Sequence, residues 1–117
     1  SIVNVSSIAG VLGVGSSLAY ACSKGALLSM TRSLARSLGP EVRVNAVCPG
    51  LVEGEWLQEG LGADNYAAVL EHYRRLAPTG AVMTHKTVAE NIWFFVNSAP
   101  NVTGEQLILD GGANQAY

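Results

Sequence analysis

The sequence predicts an α/β fold: a parallel sheet of three strands with flanking helices. Three observations predict it. Short β-branched runs alternate with stretches of helical periodicity, in the order strand, helix, strand, helix, strand. Each connection is long enough for a crossover, which parallel neighbours require. Glycines gather just after the strands, where turns are tight or ligands approach the backbone.

The elements follow in order. Residues 2–5 (Ile-Val-Asn-Val) are short, β-branched and followed by small polar residues, so they read as a buried strand ending in a loop. Residues 6–17 are rich in Gly and Ser and read as that loop. Over residues 18–38 the apolar Leu27, Met30, Leu34 and Leu38 recur at helical spacing, with Arg32 and Arg36 on another face. Gly39 and Pro40 stop the helix, the glycine by taking a left-handed cap. Residues 42–47 alternate as a second strand, closed by Pro49 and Gly50. Residues 51–77 mix Trp56, Leu57, Leu61, Tyr66, Leu70 and Tyr73 with glycines and charges, which predicts one or two short helices covering a site. Thr87-Val88-Ala89-Glu90 is a capping-box pattern, so a helix is expected from Val88 to about Ser98. Its nearly all-round apolar character (Ile92, Trp93, Phe94, Phe95, Val96) predicts burial on several sides, in a core or a subunit interface. Residues 106–109 form the last strand, before Asp110-Gly111-Gly112. Ligands of parallel sheets sit beyond the carboxyl ends of the strands, which directs attention to residues 6–19, 48–77 and 110–117.

Composition removes several classes of function. Hydrophobic residues are 49% and charged residues 14% of the 117, enough to fill a core and too few charges for a disordered tail. Seven basic and nine acidic residues, scattered along the chain, argue against nucleic acid as a partner. No apolar run reaches membrane-spanning length, and no charged-then-apolar leader is visible. Cys22 and Cys48 have neither metal-ligand spacing nor the number to staple a chain this long, so no metal site and a reduced, cytoplasmic setting are expected. His72 and His85 lack partners at ligand or triad spacing and read as surface residues. The chain opens on Ser1, directly inside a strand pattern, and reads as one domain, or part of one, cut at its start.

Chemistry concentrates at Tyr20-Ala21-Cys22-Ser23-Lys24. Four residues apart on a helix, Tyr20 and Lys24 share a face, and an ammonium beside a phenol favours the phenolate. A tyrosine so placed can exchange protons near neutral pH. Ser7 lies thirteen residues earlier, at the end of the first strand, where its hydroxyl could face the same cleft. Gly13-Val14-Gly15 mimics a dinucleotide fingerprint, but its third small residue is replaced by Leu18 and the nearest following acid is Glu41. It reads as a loop before the helix.

Five segments together resemble the short-chain dehydrogenase/reductase family. They are Asn4-Val5-Ser6-Ser7-Ile8-Ala9-Gly10, Tyr20 to Lys24 with Gly25-Ala26, Val42-Arg43-Val44-Asn45-Ala46-Val47-Cys48-Pro49-Gly50, Val102-Thr103-Gly104-Glu105-Gln106, and Asp110-Gly111-Gly112. The resemblance implies the C-terminal portion of a single NAD(P)-binding Rossmann-like domain, with the strands matching the last three of a seven-stranded sheet. It implies NAD or NADP as cofactor, a small-molecule alcohol or carbonyl substrate, and a homodimer or homotetramer at full length. Carried over residue by residue, it makes Tyr20 the general acid/base, Lys24 the partner of Tyr20 and of the nicotinamide ribose, and Ser7 (with Ser6 the less favoured neighbour) the holder of the substrate oxygen. Pro49, Gly50 and Val52 would border the nicotinamide, with the Val52 backbone on its carboxamide. The family often has Thr where this chain has Gly54. Its glycine-rich first turn, its NAD/NADP selector and the upstream Asn of its catalytic tetrad have no counterpart here. The isolated chain is therefore expected not to turn over substrate, and to expose the first strand's edge to aggregation. The competing reading is a non-catalytic binding or interaction module.

Overall fold

A computed structural model describes residues 1–115. The sheet has three parallel strands in the order β1-β2-β3: β1 Ile2–Val5, β2 Val44–Pro49 and β3 Gln106–Leu109. Ile2 pairs with Val44 and Val5 with Val47, while Ala46 pairs with Gln106 and Pro49 with Leu109. Between β1 and β2 lie α1 Ile8–Leu12 and α2 Leu18–Leu38; between β2 and β3 lie α3 Glu55–Leu61, α4 Ala63–Leu76 and α5 His85–Asn97. Among the described residues no helix is long and apolar enough to cross a membrane.

The central strand is buried along its whole length, as helices on both faces demand. Alternate residues serve the two layers. Ala46 and Cys48 pack with Leu28 of α2, joined by Val11 and Ile108. Val47 packs with Phe95 and Ala99, joined by Val3, Val88, Ile92 and three residues near β3. β1 is an edge, with Ile2 39% and Val5 45% exposed, so its outer side lacks the burial expected of it.

Several boundaries differ from the sequence reading, each for a physical reason. β2 begins and ends two residues later than the alternation of residues 42–47 suggested. Arg43 is not a strand residue at all: its guanidinium donates to the carbonyls of Phe95 (2.7 Å), Ala99 (2.8 Å) and Val96 (3.0 Å), capping the end of α5. Asn45 bonds the backbone of the segment before β3, as suits a strand residue. Its amide donates to Val102 O at 2.9 Å and its carbonyl accepts from Glu105 N at 3.0 Å. α5 begins three residues earlier than expected, because Thr84 and Thr87 make the capping box reciprocally, at 3.1 and 2.8 Å. Nor is α5 buried all round. Phe95 is 3% exposed, but Trp93 is 62%, Phe94 45% and Val96 40% exposed.

The long helix α2 turns a different stripe inward from the one its leucines advertise. Ala21, Leu28, Thr31 and Ala35 are buried, while Leu27, Leu34 and Leu38 flank them and Met30 is 44% exposed. Small side chains let the helix approach the sheet closely, and Thr31 satisfies its hydroxyl by donating to Leu27 O (2.8 Å) and accepting from Asn4 (2.9 Å). At its end Gly39 is extended, with φ −75° and ψ 149°, and not left-handed. Pro40 dictates this, since the residue before a proline is pushed out of the helical region.

Candidate active site

The loop expected over residues 6–17 contains a helix, α1, and this helix positions the site. Ser7 is its N-cap: the backbone is extended, and the buried hydroxyl oxygen accepts from Ala9 N at 3.1 Å. Gly13 closes the helix in the left-handed region, φ 72°. Gly10 holds α1 against α2, since a Cβ there would lie 2.6 Å from Gly25 N and equally close to the Lys24 backbone. The strand end bearing Ser7 is thus locked to the turn of α2 bearing Lys24.

The two serines separate cleanly. Ser6 donates its proton to Lys24 O at 2.8 Å, tying β1 to α2. Among the described residues the Ser7 oxygen only accepts, which leaves its O–H to donate to a bound group. Tyr20 stands in the first turn of α2, behind the N-cap Ser17, whose oxygen accepts from Tyr20 N at 3.1 Å. Its ring is 38% exposed and lies beside Gly15. The Lys24 ammonium sits 5.7 Å from the centroid of that ring and donates to Val5 O at 2.9 Å, leaving two of its three protons for other acceptors. Ser7, Tyr20 and Lys24 are therefore brought together by β1, α1 and α2. Cys22, on the same turn, is exposed and free.

The second strand end is built by Tyr73, which sequence reasoning treated only as an apolar anchor. The position where Gly50 would carry a side chain is taken by the Tyr73 hydroxyl, which donates to Asp110 O at 3.1 Å. The glycine is thus required by α4 packing over the strand end. Pro49 is buried and ends β2, and Gly50 N donates to Leu109 O at 2.8 Å. Asp110 is buried and organises the last turn, its two carboxylate oxygens accepting from Gly112 N (2.9 Å) and Asn114 N (2.8 Å).

Val52 forms a parallel bridge with Met83. Met83 N donates to Leu51 O at 3.1 Å, and Glu53 N donates to Met83 O at 2.9 Å. In a parallel ladder the intervening residue turns its own N–H and C=O to the opposite side. Both groups of Val52 are without a protein partner among the described residues. At Gly54, a Cβ would lie 2.7 Å from His85 Cε1. The imidazole occupies the space that a threonine would need, which accounts for the glycine.

Burial pushes the Tyr73 phenol up from its ordinary 10.0, opposed by the Leu51 backbone and reinforced by the Asp110 carboxylate. Burial also pushes the Cys48 thiol up from 9.0, opposed by the neighbouring Ser6 side chain and Ser7 backbone. Both groups are held neutral by folding, so their stabilisation is complete below the unfolded values and lost as pH rises through the folded ones. Melting temperature should fall first above about pH 9 and again above about pH 10. In Tyr73→Phe the second fall should disappear and the first remain; an unchanged alkaline limb would count against the assignment.

An open cleft of about 520 Å³ lies between the loop before α2 and α3, lined by Ser16, Trp56, Leu57, Glu59, Gly60 and Leu61. It brings together the apolar anchors of α3. Tyr66 is not among them: its hydroxyl accepts from Gly54 N at 3.1 Å and joins α4 to the loop.

The chain is similar to known proteins over nearly its whole length. The profile of the enoyl-(acyl carrier protein) reductase family fits residues 1–114. A ketoacyl reductase of the granaticin polyketide synthase of Streptomyces violaceoruber is 46% identical over 97% of the chain, and the chain spans 44% of that protein. The crystal structure of a short-chain dehydrogenase/reductase of the glucose/ribitol dehydrogenase type from Brucella melitensis is 33% identical with a TM-score of 0.85, covering 96% of this chain and 44% of its own. A small-chain dehydrogenase crystallised with NADPH is 29% identical, also with a TM-score of 0.85, covering 96% and 50% respectively.

Proposed function

The chain belongs to the short-chain dehydrogenase/reductase family, and on that premise we propose that it carries the proton-transfer half of an NAD(P)-dependent alcohol/carbonyl oxidoreductase. One observation carries the reading: an ammonium anchored on the end of β1 stands beside the ring of an exposed tyrosine, with a capped serine at the same strand end.

In the reducing direction the Tyr20 hydroxyl gives its proton to the substrate oxygen as a hydride reaches the carbon, so C=O becomes CH–OH. Ser7 donates a hydrogen bond to the same oxygen and holds it in place, its own orientation fixed by Ala9 N. Lys24 keeps a positive charge next to the phenolate that Tyr20 becomes. In the oxidising direction the same groups run in reverse. A nicotinamide cofactor, when bound, supplies or takes the hydride. The residues present fit it: Lys24 has protons for the ribose hydroxyls, and Val52 has an open amide and carbonyl for the carboxamide. Pro49 and Gly50 would form the floor beneath the ring. Association into a homodimer or homotetramer would use the side of α5 bearing Trp93, Phe94 and Val96, which the single chain leaves exposed.

The test is a hybrid in which this chain replaces the 114 aligned residues of the granaticin relative, assayed by loss of NAD(P)H absorbance against a panel of carbonyl compounds. Oxidation of NAD(P)H that depends on a carbonyl is expected. A folded hybrid that binds NAD(P)H yet reduces no carbonyl would favour the binding-module reading.

A further inference from the structure

Resting on that reading, we propose that the cleft between the loop before α2 and α3 selects an uncharged, largely apolar carbonyl or alcohol and disfavours substrates that carry an anionic group. The observations are the size, lining and charge of the cleft. Its volume of about 520 Å³ suits a small organic molecule, not a macromolecular segment. Trp56, Leu57 and Leu61 supply an apolar wall, and Trp56 is 85% exposed, with a broad aromatic face open to a ligand. The opposite wall comes from the loop through Ser16, which leads into the turn of α2 bearing Tyr20.

Charge then narrows the class. Among the described residues the lining has one ionisable side chain, Glu59. No charged residue of either sign occurs from Ile8 to Ser23, and no Lys or Arg occurs from Val44 to Tyr73, a stretch that also carries Glu53, Glu55, Asp64 and Glu71. Arg74, the first cation beyond it, is paired with Glu53 at 3.6 Å. Lys24 stands at the tyrosine and does not line the cleft. A carboxylate, sulfonate or phosphate in the cleft would therefore meet a carboxylate and no guanidinium or ammonium of its wall. Repulsion from Glu59, with no cation of the wall to offset it, is unfavourable.

The experiment uses the chain with Trp93→Phe, which makes Trp56 its sole tryptophan. Fluorescence quenching is titrated with 4-acetylbenzamide and 4-acetylbenzoate, two ketones of the same shape that differ in charge at neutral pH. The neutral ketone should quench saturably and bind about 3- to 10-fold more tightly at low ionic strength, a preference that shrinks with added salt. Glu59→Gln should reduce the preference and Glu59→Lys should reverse it, with circular dichroism showing that each variant keeps its helices. Equal or tighter binding of the benzoate, a preference unmoved by Glu59→Lys, or no saturable binding of either ketone would each overturn the proposal. Turnover of both ketones by the hybrid is measured alongside. A binding preference without turnover counts against the oxidoreductase reading alone, whereas turnover of both with equal KM counts against the proposed selectivity alone.

Discussion

Tyr20→Phe is expected to lower kcat of the hybrid enzyme by about 10²- to 10⁴-fold, the usual worth of a positioned general acid. At 1.36 kcal/mol per decade, this is about 2.7–5.4 kcal/mol of transition-state stabilisation. The substitution removes one oxygen and keeps the ring that lies beside Gly15. Among the described residues no protein group hydrogen-bonds the Tyr20 hydroxyl, so melting temperature should be unchanged. Cofactor affinity should also hold, because Lys24 retains its anchor on Val5 O. Lys24→Ala should differ, weakening both turnover and NAD(P)H binding. A Tyr20→Phe enzyme that kept more than a tenth of its activity would remove the tyrosine from the chemistry.

The largest effect on stability is expected from Phe95→Ala. Phe95 fills the layer between α5 and the sheet, in contact with Val47 and Ala99 and ringed by Val3, Val88, Ile92, Val102, Leu107 and Leu109. Replacing a buried phenylalanine by alanine costs about 3–5 kcal/mol, through lost transfer energy and the cavity left behind. Against a total of roughly 5–15 kcal/mol for a domain, this removes much of the margin. Urea denaturation should show a lower midpoint with an unchanged slope. Phe94→Ala is the control, its ring being 45% exposed, and should cost less than about 1 kcal/mol. A loss below about 1.5 kcal/mol for Phe95→Ala would mean that α5 does not rest on the sheet as described.

Strand and helix types were legible because their causes are local. Parallel pairing followed from the crossover lengths, and α2 from its periodicity and the Gly39-Pro40 stop. Contributions that depend on distant partners were not legible. Arg43 looks like a strand residue by alternation, and only the meeting of β2 with the end of α5, more than fifty residues away, turns it into a cap. Met30 fits the apolar stripe of α2, yet close approach to the sheet is made by alanines and Thr31. α1 escaped notice because a five-residue helix in a Gly/Ser-rich stretch has no periodicity to read, although Ser7 followed by Ile8-Ala9 and then Gly13 is a start and stop signal. At the site, the shared helix face of Tyr20 and Lys24 was legible from their spacing. Tyr73 and the contact of His85 with Gly54 were not, because each is a packing relation between elements remote in sequence.

The bridge between Val52 and Met83 bears on how such a protein can change. Two hydrogen bonds draw together the points where the backbone leaves the sheet and returns toward it, so α3 and α4 hang from a closed base. Residues can be inserted, deleted or exchanged in that excursion while the base keeps Val52 oriented, and lengthening a closed loop costs only about 0.6 kcal/mol per doubling. The groups proposed for proton transfer, Ser7, Tyr20 and Lys24, lie at α1 and on α2, outside the excursion altogether. On the proposed reading, the apolar wall of the cleft and the proton-transfer set stand on separate segments, so the wall can be rewritten while the set stays in place.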